Sequence, residues 1–474
     1  MTVDKTIRVN SKKRVIKLGK GCYRFEYAPG SIFEERASFR AWSAPSPRAF
    51  QKVLKSGKTV KIIDSGLIIN IKNDQKKFTK TNLRITDKNK KPVWQPGQTD
   101  NENLGGVHLG LDYMHRALIP KGVHPATTAY HDNSNRWLYW RYLMDADKSP
   151  LTAANYRAKG LDEIIAETPA GKLPAYIKNI LKERAKFPPG FLSRSGYFLY
   201  NDSGQPVIDP KQDWPVARRQ TAENQDLYFT YYGQDFKKGL KDYQTLFGKC
   251  NMLPRYTLGL WYSRYPTFKE DKLRQCVAEF EKYKLPLDML VLDLEWHKHG
   301  WCGWDWDKRH IFQPQRFLDF LKKKKIHITL NTHPNAIPVK DSRFKKFMKA
   351  AGLDYEKAVK PGQSEFEDFD LADKKQADAY MNVLHKPVQD QGIDFWWIDG
   401  AAPLHKEKSF EHQFMTGHVY YDHIKKNYPE IRPTVFTRAP GLGAHRYGIN
   451  FTGDTWAHWE VLANQVEHTL RAGH

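Results

Sequence analysis

The sequence predicts a multidomain fold, β in its first half and α/β in its second, because its hydrophobic rhythm changes near Arg255. Before that point, short alternating segments lie between turn residues, as antiparallel strands do. Beyond it, apolar strand-like runs alternate with amphipathic helical stretches, the βαβ pattern of a parallel sheet. Each of these later runs ends in chemically loaded residues: SRY, DLEWH, NTHP, DGAAP, TRAP and TGDTW. A doubly wound sheet gathers its ligands near one switch point, whereas a (β/α) barrel collects them from many strand ends. The expected architecture is an N-terminal β-sandwich over residues 1–250, then an incomplete (β/α)8 TIM barrel over residues 251–474.

In the first half the strand candidates are 59–72, 78–86, 195–202 and 226–233. Their spacing fits two packed antiparallel sheets. A stretch near 147–187 breaks the pattern: apolar residues recur at helical spacing but Pro169, Gly171 and Pro174 interrupt them. It reads as a helical or loop excursion.

In the second half the strand candidates are 256–265, 288–296, 326–334, 393–399, 434–440 and 447–454, with helices at 269–284, 315–324, 373–390 and 409–427. Glu270 and Asp271 suit a helix's opening turn, and Leu273, Cys276, Val277, Phe280 and Tyr283 form one apolar stripe. A complete barrel has eight strands, and about six are countable before the sequence stops at His474. Hence the expectation of an incomplete barrel, completed by another chain if at all.

Composition excludes several classes. A chain of 474 residues with 40% hydrophobic residues can bury sizeable cores. No segment approaches the roughly 18–20 apolar residues that cross a bilayer. The N-terminus lacks the apolar stretch of a secretory signal, and the four cysteines form no CxxC pair. A cytoplasmic protein with no membrane role is expected. Lys and Arg total 76 against 53 acids, a net charge of +23 that invites a nucleic-acid reading. However, the lysines are dispersed, runs such as Lys322–Lys325 fall on an expected solvated helix face, and no nucleic-acid-binding signature accompanies them.

The chemistry is concentrated at strand ends. The run GIDFWWIDGAAP (392–403) is a buried-strand pattern ending in Asp399, and GINFTGDTWAHW leads to Asp454. Either acid alone is as readily a helix cap as a catalyst. Asp293 closes a third apolar run, and Trp296, Trp396, Trp397, Trp456 and Trp459 lie near the three acids. Aromatic rings beside carboxylates suit sugars, whose C–H faces pack on rings while carboxylates accept hydroxyl hydrogens. Two carboxylates flanking one bond are what glycoside hydrolysis requires. Arg438 is placed either to hold one acid ionised or to make a surface ion pair. His297, His299 and His310 lie near Asp293, Asp305 and Asp307 but match no dedicated metal-ligand spacing. Phosphate loops and the GxSxG elbow are absent, so neither a metal nor a cofactor is expected.

With these motifs in order, the chain resembles glycoside hydrolase family 31, the retaining α-glucosidase and α-xylosidase family. The resemblance rests on NLGG (103–106), PPGFLSRSGY (188–197), 226–249, LPRYTLGLWYSRY (253–265), PLDMLVLDLEWH (286–297), FWWIDG and the segment TRAPGLGAHRYGINFTGDTWAHW. It implies Asp399 as nucleophile and Asp454 as acid/base in a double displacement on α-linked sugars. Asp293 and Arg438 would bind the reacting sugar, and Trp296 and Trp397 would shape its pocket. Hydrolysis is the leading expectation; transglycosylation, or a non-catalytic sugar-binding fragment, is the alternative. DGAAP departs from the acidic or polar continuations common in that family. The expected partner is a carbohydrate, with a homo-oligomer or a complementing C-terminal chain left open.

Overall fold

The computed structural model describes residues 4–41, 47–100, 102–105, 190–218, 223–264, 269–400, 404, 411–438 and 441–451, with single positions at 453, 466 and 469. The excursion near 147–187 lies outside these residues. The chain divides into two compact units; one gathers the described residues up to Lys249 with 441–443, the other those of Cys250–Ala439 and Ala444–Phe451. Among the described residues no helix is long and apolar enough to cross a membrane.

The first unit holds two five-stranded antiparallel sheets. Strands β1 (Thr6–Arg8), β2 (Lys13–Gly19) and β3 (Cys22–Tyr27) pair with β14 (Gln225–Tyr231) and β11 (Tyr197–Asn201) in the order β1-β2-β3-β14-β11. The other sheet is a meander of β4 (Lys52–Lys55), β5 (Thr59–Asp64), β6 (Leu67–Lys72), β7 (Leu83–Asp87) and β8 (Pro92–Trp94). Strands β9 (Asn103–Gly105) with β10 (Leu192–Ser193), and β12 (Val207–Asp209) with β13 (Trp214–Val216), form small pairs. The β5–β6 hairpin shows how the sequence writes its own register. Asp64 pairs with Leu67, and the intervening Ser65 and Gly66 both have positive φ, as tight two-residue hairpin turns require. Alternation then buries Val60 and Ile62 with Leu67, Ile69 and Ile71. These pack with Val15, Tyr23, Phe25 and Phe229 in one cluster shared by both sheets. Helix α1 (Phe236–Phe247) follows, capped by Asp235, whose side chain accepts the Lys238 N–H.

The same unit buries an ionic network. Arg24 grips Asp226 with two hydrogen bonds of 2.8 and 2.7 Å, and Arg218 adds a third at 2.8 Å. Burial raises the Asp226 pKa, but the two guanidiniums outweigh it and hold the carboxyl below its usual range. Removing Asp226 leaves Arg24 with Glu26 and Arg218 with Asp202, each guanidinium short of one buried partner. Asp226→Ala is therefore expected to cost about 3–5 kcal/mol of stability, measurable by urea unfolding.

The second unit is a six-stranded parallel sheet in the order β15-β16-β17-β20-β21-β22. Its strands are β15 (Trp261–Tyr262), β16 (Met289–Leu292), β17 (His327–Thr332), β20 (Phe395–Ile398), β21 (Val435–Thr437) and β22 (Gly448–Asn450); a short pair, β18 (Ile337–Pro338) and β19 (Phe366–Glu367), lies in the connection after β17. Each of the six expected strands appears in order, though shortened. Residues 256–258, expected to begin the first strand, lie in a 3-10 turn, Arg255–Leu258, instead.

Helices α2 (Glu270–Lys282), α3 (Pro314–Lys323), α5 (Lys374–Ala379) with α6 (Lys386–Gln389), and α7 (His412–Asn427) occupy the expected connections. Helix α4 (Phe344–Ala351) was not anticipated; Phe344, Phe347, Met348 and Ala351 bury one face of it. The α2 stripe is narrower than its sequence implies, since Leu273 and Val277 are buried while Tyr283 is 64% exposed. Lys322–Lys325 are all exposed, and Lys322 and Lys323 favour the negative end of α3. Between α5 and α6 the helix widens into a π-helical segment, Tyr380–His385. Pro387, within α6, lacks an N–H and its ring crowds the carbonyl four residues back, and the wider turn accommodates it.

Candidate active site

Parallel pairing fixes which residues share a level at the carboxyl end of the sheet. Thr332 pairs with Ile398, Ile398 with Thr437, and Thr437 with Asn450. The next residue on each strand is His333, Asp399, Arg438 and Phe451, so four neighbouring strands deliver one row. One strand further, Leu292 pairs with Leu330, which places Asp293 level with Asn331.

Asp399 is buried and its backbone N–H continues the ladder to the Thr332 carbonyl at 3.0 Å. Arg438, 2% exposed, donates from Nε to Asp399 Oδ1 at 2.5 Å, and its Nη2 reaches the same oxygen. The guanidinium also lies 4.8 Å from the centre of the Phe451 ring, an aromatic face that favours a cation. The other oxygen, Oδ2, accepts from Asn331 Nδ2 at 3.2 Å and lies 3.7 Å from His333 Nε2.

Asp293 caps the 3-10 turn Leu294–Trp296, accepting the Leu294 N–H at 2.9 Å, and takes a second bond from Asn331 Nδ2 at 2.8 Å. Burial pushes its pKa up to about 6; the nearby Asp399 charge adds to this, and the hydrogen bonds oppose it. Such a group exchanges its proton near neutral pH.

The structure thus brings Asp293, Asp399 and Arg438 together. Trp397 packs on Phe436 and Phe451 beside them, and its indole N–H finds no acceptor among the described residues. Trp296 is 2% exposed; it lies behind the strand ends against Trp304, Trp306 and Trp396, and donates to the Asn331 carbonyl at 2.7 Å. Asp454 lies outside the described residues, as do Trp456 and Trp459. Sequence reasoning noted the NTHP strand end but did not single out Asn331 or His333. Their signal is polar residues at alternate positions, Thr329, Asn331 and His333, within an apolar strand.

Of the three histidines weighed as metal ligands, His297 is held by backbone carbonyls. His297 meets the Gly303 and Asn331 carbonyls, the latter at 3.1 Å, and burial lowers its pKa to about 3. Among the described residues no group of three His, Cys, Asp or Glu side chains could hold a metal ion. A broader groove of about 1000 Å³, lined by Trp304, Trp306, Arg309, Phe312 and Arg343, contains none of the strand-end acids.

Gly400 leaves no room for a side chain. A Cβ there would fall 2.6 Å from Asn335 Oδ1 and 3.3 Å from His333 Cδ2. Gly400→Ala should displace Asn335 and, through His333, disturb Asp399. A several-fold fall in kcat/KM with an unchanged melting temperature is expected.

Residues 250–474 match the family model for the glycosyl hydrolases family 31 TIM-barrel domain. Alpha-glucosidase 2 of Bacillus thermoamyloliquefaciens is 25% identical over 278 residues, covering 52% of this chain and 35% of that protein. The alpha-xylosidase of Saccharolobus solfataricus is 24% identical over 261 residues, covering 50% and 34%. Human neutral alpha-glucosidase C is 28% identical over 266 residues, covering 48% and 28%. The matches thus span about a third of these relatives' length. Two solved structures share the fold. A family 31 alpha-xylosidase from a soil metagenome, complexed with xylose, superposes with TM-score 0.62 at 15% identity, covering 100% of this chain and 70% of that one. A Flavobacterium johnsoniae family 31 dextranase, complexed with glucose, gives 0.63 at 18% identity, covering 100% and 59%. Residues 250–474 thus match the barrel domain of glycosyl hydrolase family 31, and the chain is similar over about half its length to alpha-glucosidases and an alpha-xylosidase.

Proposed function

We propose that the chain is a retaining α-glycoside hydrolase in which Asp399 is the nucleophile. The observation that carries this reading is the ion pair between two buried strand-end groups, Asp399 and Arg438, one strand apart. An attacking carboxylate needs a fixed orientation and a counter-charge that does not block its second oxygen. Arg438 supplies both by engaging Oδ1.

In the first step an Asp399 oxygen bonds to the anomeric carbon while the bond to the departing sugar oxygen breaks, and Asp454 gives that oxygen its proton. In the second, Asp454 takes a proton from water, the water oxygen bonds to the anomeric carbon, and Asp399 is released. Two inversions restore the α configuration. Asp293 would accept hydroxyl hydrogens of the reacting sugar, and Trp397 would border it. Retention requires the Asp399 and Asp454 carboxyl groups to be roughly 5–5.5 Å apart. We read the two five-stranded sheets as an N-terminal β-sandwich of residues 1–250 preceding the catalytic barrel of 251–474. The four cysteines are free thiols, which suits a reducing, cytoplasmic setting.

The test is turnover of aryl α-glucoside, α-xyloside, α-galactoside and N-acetyl-α-galactosaminide, with the first-formed anomer followed by proton NMR. An α product at early times supports the reading. Inversion, or failure of the folded chain to turn over any of the four, overturns it. Asp454→Ala should slow substrates with poor leaving groups by about 10²–10⁴-fold and spare activated aryl glycosides in their first step.

A further inference from the structure

We propose that Asn331 is a positioning residue that ties Asp293 and Asp399 into one hydrogen-bonded unit and lowers the proton affinity of Asp293. β17 lies between β16 and β20, so the two acids stand on strands that do not touch. Asn331 bridges the gap, its Nδ2 lying 2.8 Å from Asp293 Oδ1 and 3.2 Å from Asp399 Oδ2. An amide nitrogen carries two hydrogens, one for each carboxylate. Rotating the amide would aim its oxygen at two acids, so this orientation is the one electrostatics selects.

The residue is itself held in place. Asn331 is wholly buried, and its backbone carbonyl accepts from Trp296 Nε1 at 2.7 Å and contacts His297 Nε2 at 3.1 Å. The buried tryptophans and His297 therefore support the bridge rather than the sugar. Donation from Asn331 favours the charged form of Asp293, against burial and the Asp399 charge. The remaining groups facing Asp293 are the Leu294 N–H and Glu295, with Arg264 and His310 lining the same small cavity. Those facing Asp399 are Arg438 and His333.

The catalytic consequence rests on the glycosidase reading; the hydrogen-bond device does not. A sugar hydroxyl donates to ionised Asp293 and loses that acceptor when Asp293 is protonated. Asn331→Leu, of similar volume, removes the donor. Carboxyl 13C NMR of the [13C]aspartate-labelled chain, with Asp293 assigned through Asp293→Asn, reads the titration without any substrate. The midpoint of Asp293 is expected to rise by about one pH unit. KM should climb steeply below pH 7 in the variant while kcat changes less, a split that mere loss of stability would not produce. Asn331→Asp keeps the shape and replaces the donor by a third acid, so it must shift the midpoint upward as well and serves should the leucine variant not fold. An unmoved Asp293 midpoint overturns the proposal. A shifted midpoint in a parent chain that cleaves no glycoside upholds the bridge and removes the glycosidase reading instead.

Discussion

Asp399→Ala is expected to lower kcat by about 10⁴-fold or more on any α-glycoside that the parent cleaves, because the proposed mechanism assigns the glycosyl-enzyme bond to this carboxylate. The same change removes the carboxylate that Arg438, 2% exposed, engages. Losing one partner of a buried ion pair costs about 3–5 kcal/mol, so lost turnover alone would confuse chemistry with folding. Melting curves must accompany the kinetics. Asp399→Asn separates the two effects more cleanly, since it preserves volume and an acceptor for Arg438 while removing the attacking charge. Turnover within tenfold of the parent in either folded variant would exclude Asp399 as nucleophile.

Acid is expected to unfold the second unit through its histidines. Burial lowers the pKa of His297 to about 3 and that of His423 to about 4 from 6.5, and holds His385 well below 6.5. Among the described residues neither ring nitrogen of His385 has a hydrogen-bond partner; Trp304, Trp396, Tyr420 and His423 surround it. These rings stay neutral in the fold, whereas the unfolded chain protonates them below pH 6.5. Their stabilisation is therefore complete above 6.5 and lost as pH falls toward 4 and 3. At pH 5 the loss is about 2 kcal/mol for each of His297 and His423, from 1.36 kcal/mol per pH unit. Asp293, Asp341 and Glu367, with raised pKa values, act in the opposite direction, while Asp307 and Asp390, held low by their partners, add to the loss in acid. Urea midpoints measured at pH 7.5 and 5.0 should show the drop. His385→Phe should flatten the dependence; an unchanged slope would show that these rings do not govern acid stability.

The strand ends were legible in the sequence because several apolar runs in succession ended in a carboxylate or guanidinium, although each acid alone read equally well as a helix cap. Asp293, Asp399 and Arg438 stood out on that ground, and the structure gathers them at one end of the sheet. Partners across strands were not legible. Whether Asn331 faces Asp399 or a helix depends on the β17–β20 register, which local pattern cannot fix. Trp296 shows the same gap: its position near Asp293 implied a pocket wall, while tertiary packing buries the ring and leaves only its N–H to act, on Asn331. Strand 256–265 was overextended because the residues around Arg255–Leu258 carry apolar character that a 3-10 turn also accepts.

The single row formed by His333, Asp399, Arg438 and Phe451 has an evolutionary consequence. Spacing along that row is set by backbone hydrogen bonding, at roughly 4.8 Å per strand, and not by side-chain choice. Mutation in the connecting loops can thus alter which sugar fits without changing how far Asp399, the proposed nucleophile, stands from its guanidinium. The sheet acts as a fixed ruler beneath replaceable furniture, so selectivity can drift across a lineage while the means of bond cleavage is inherited intact.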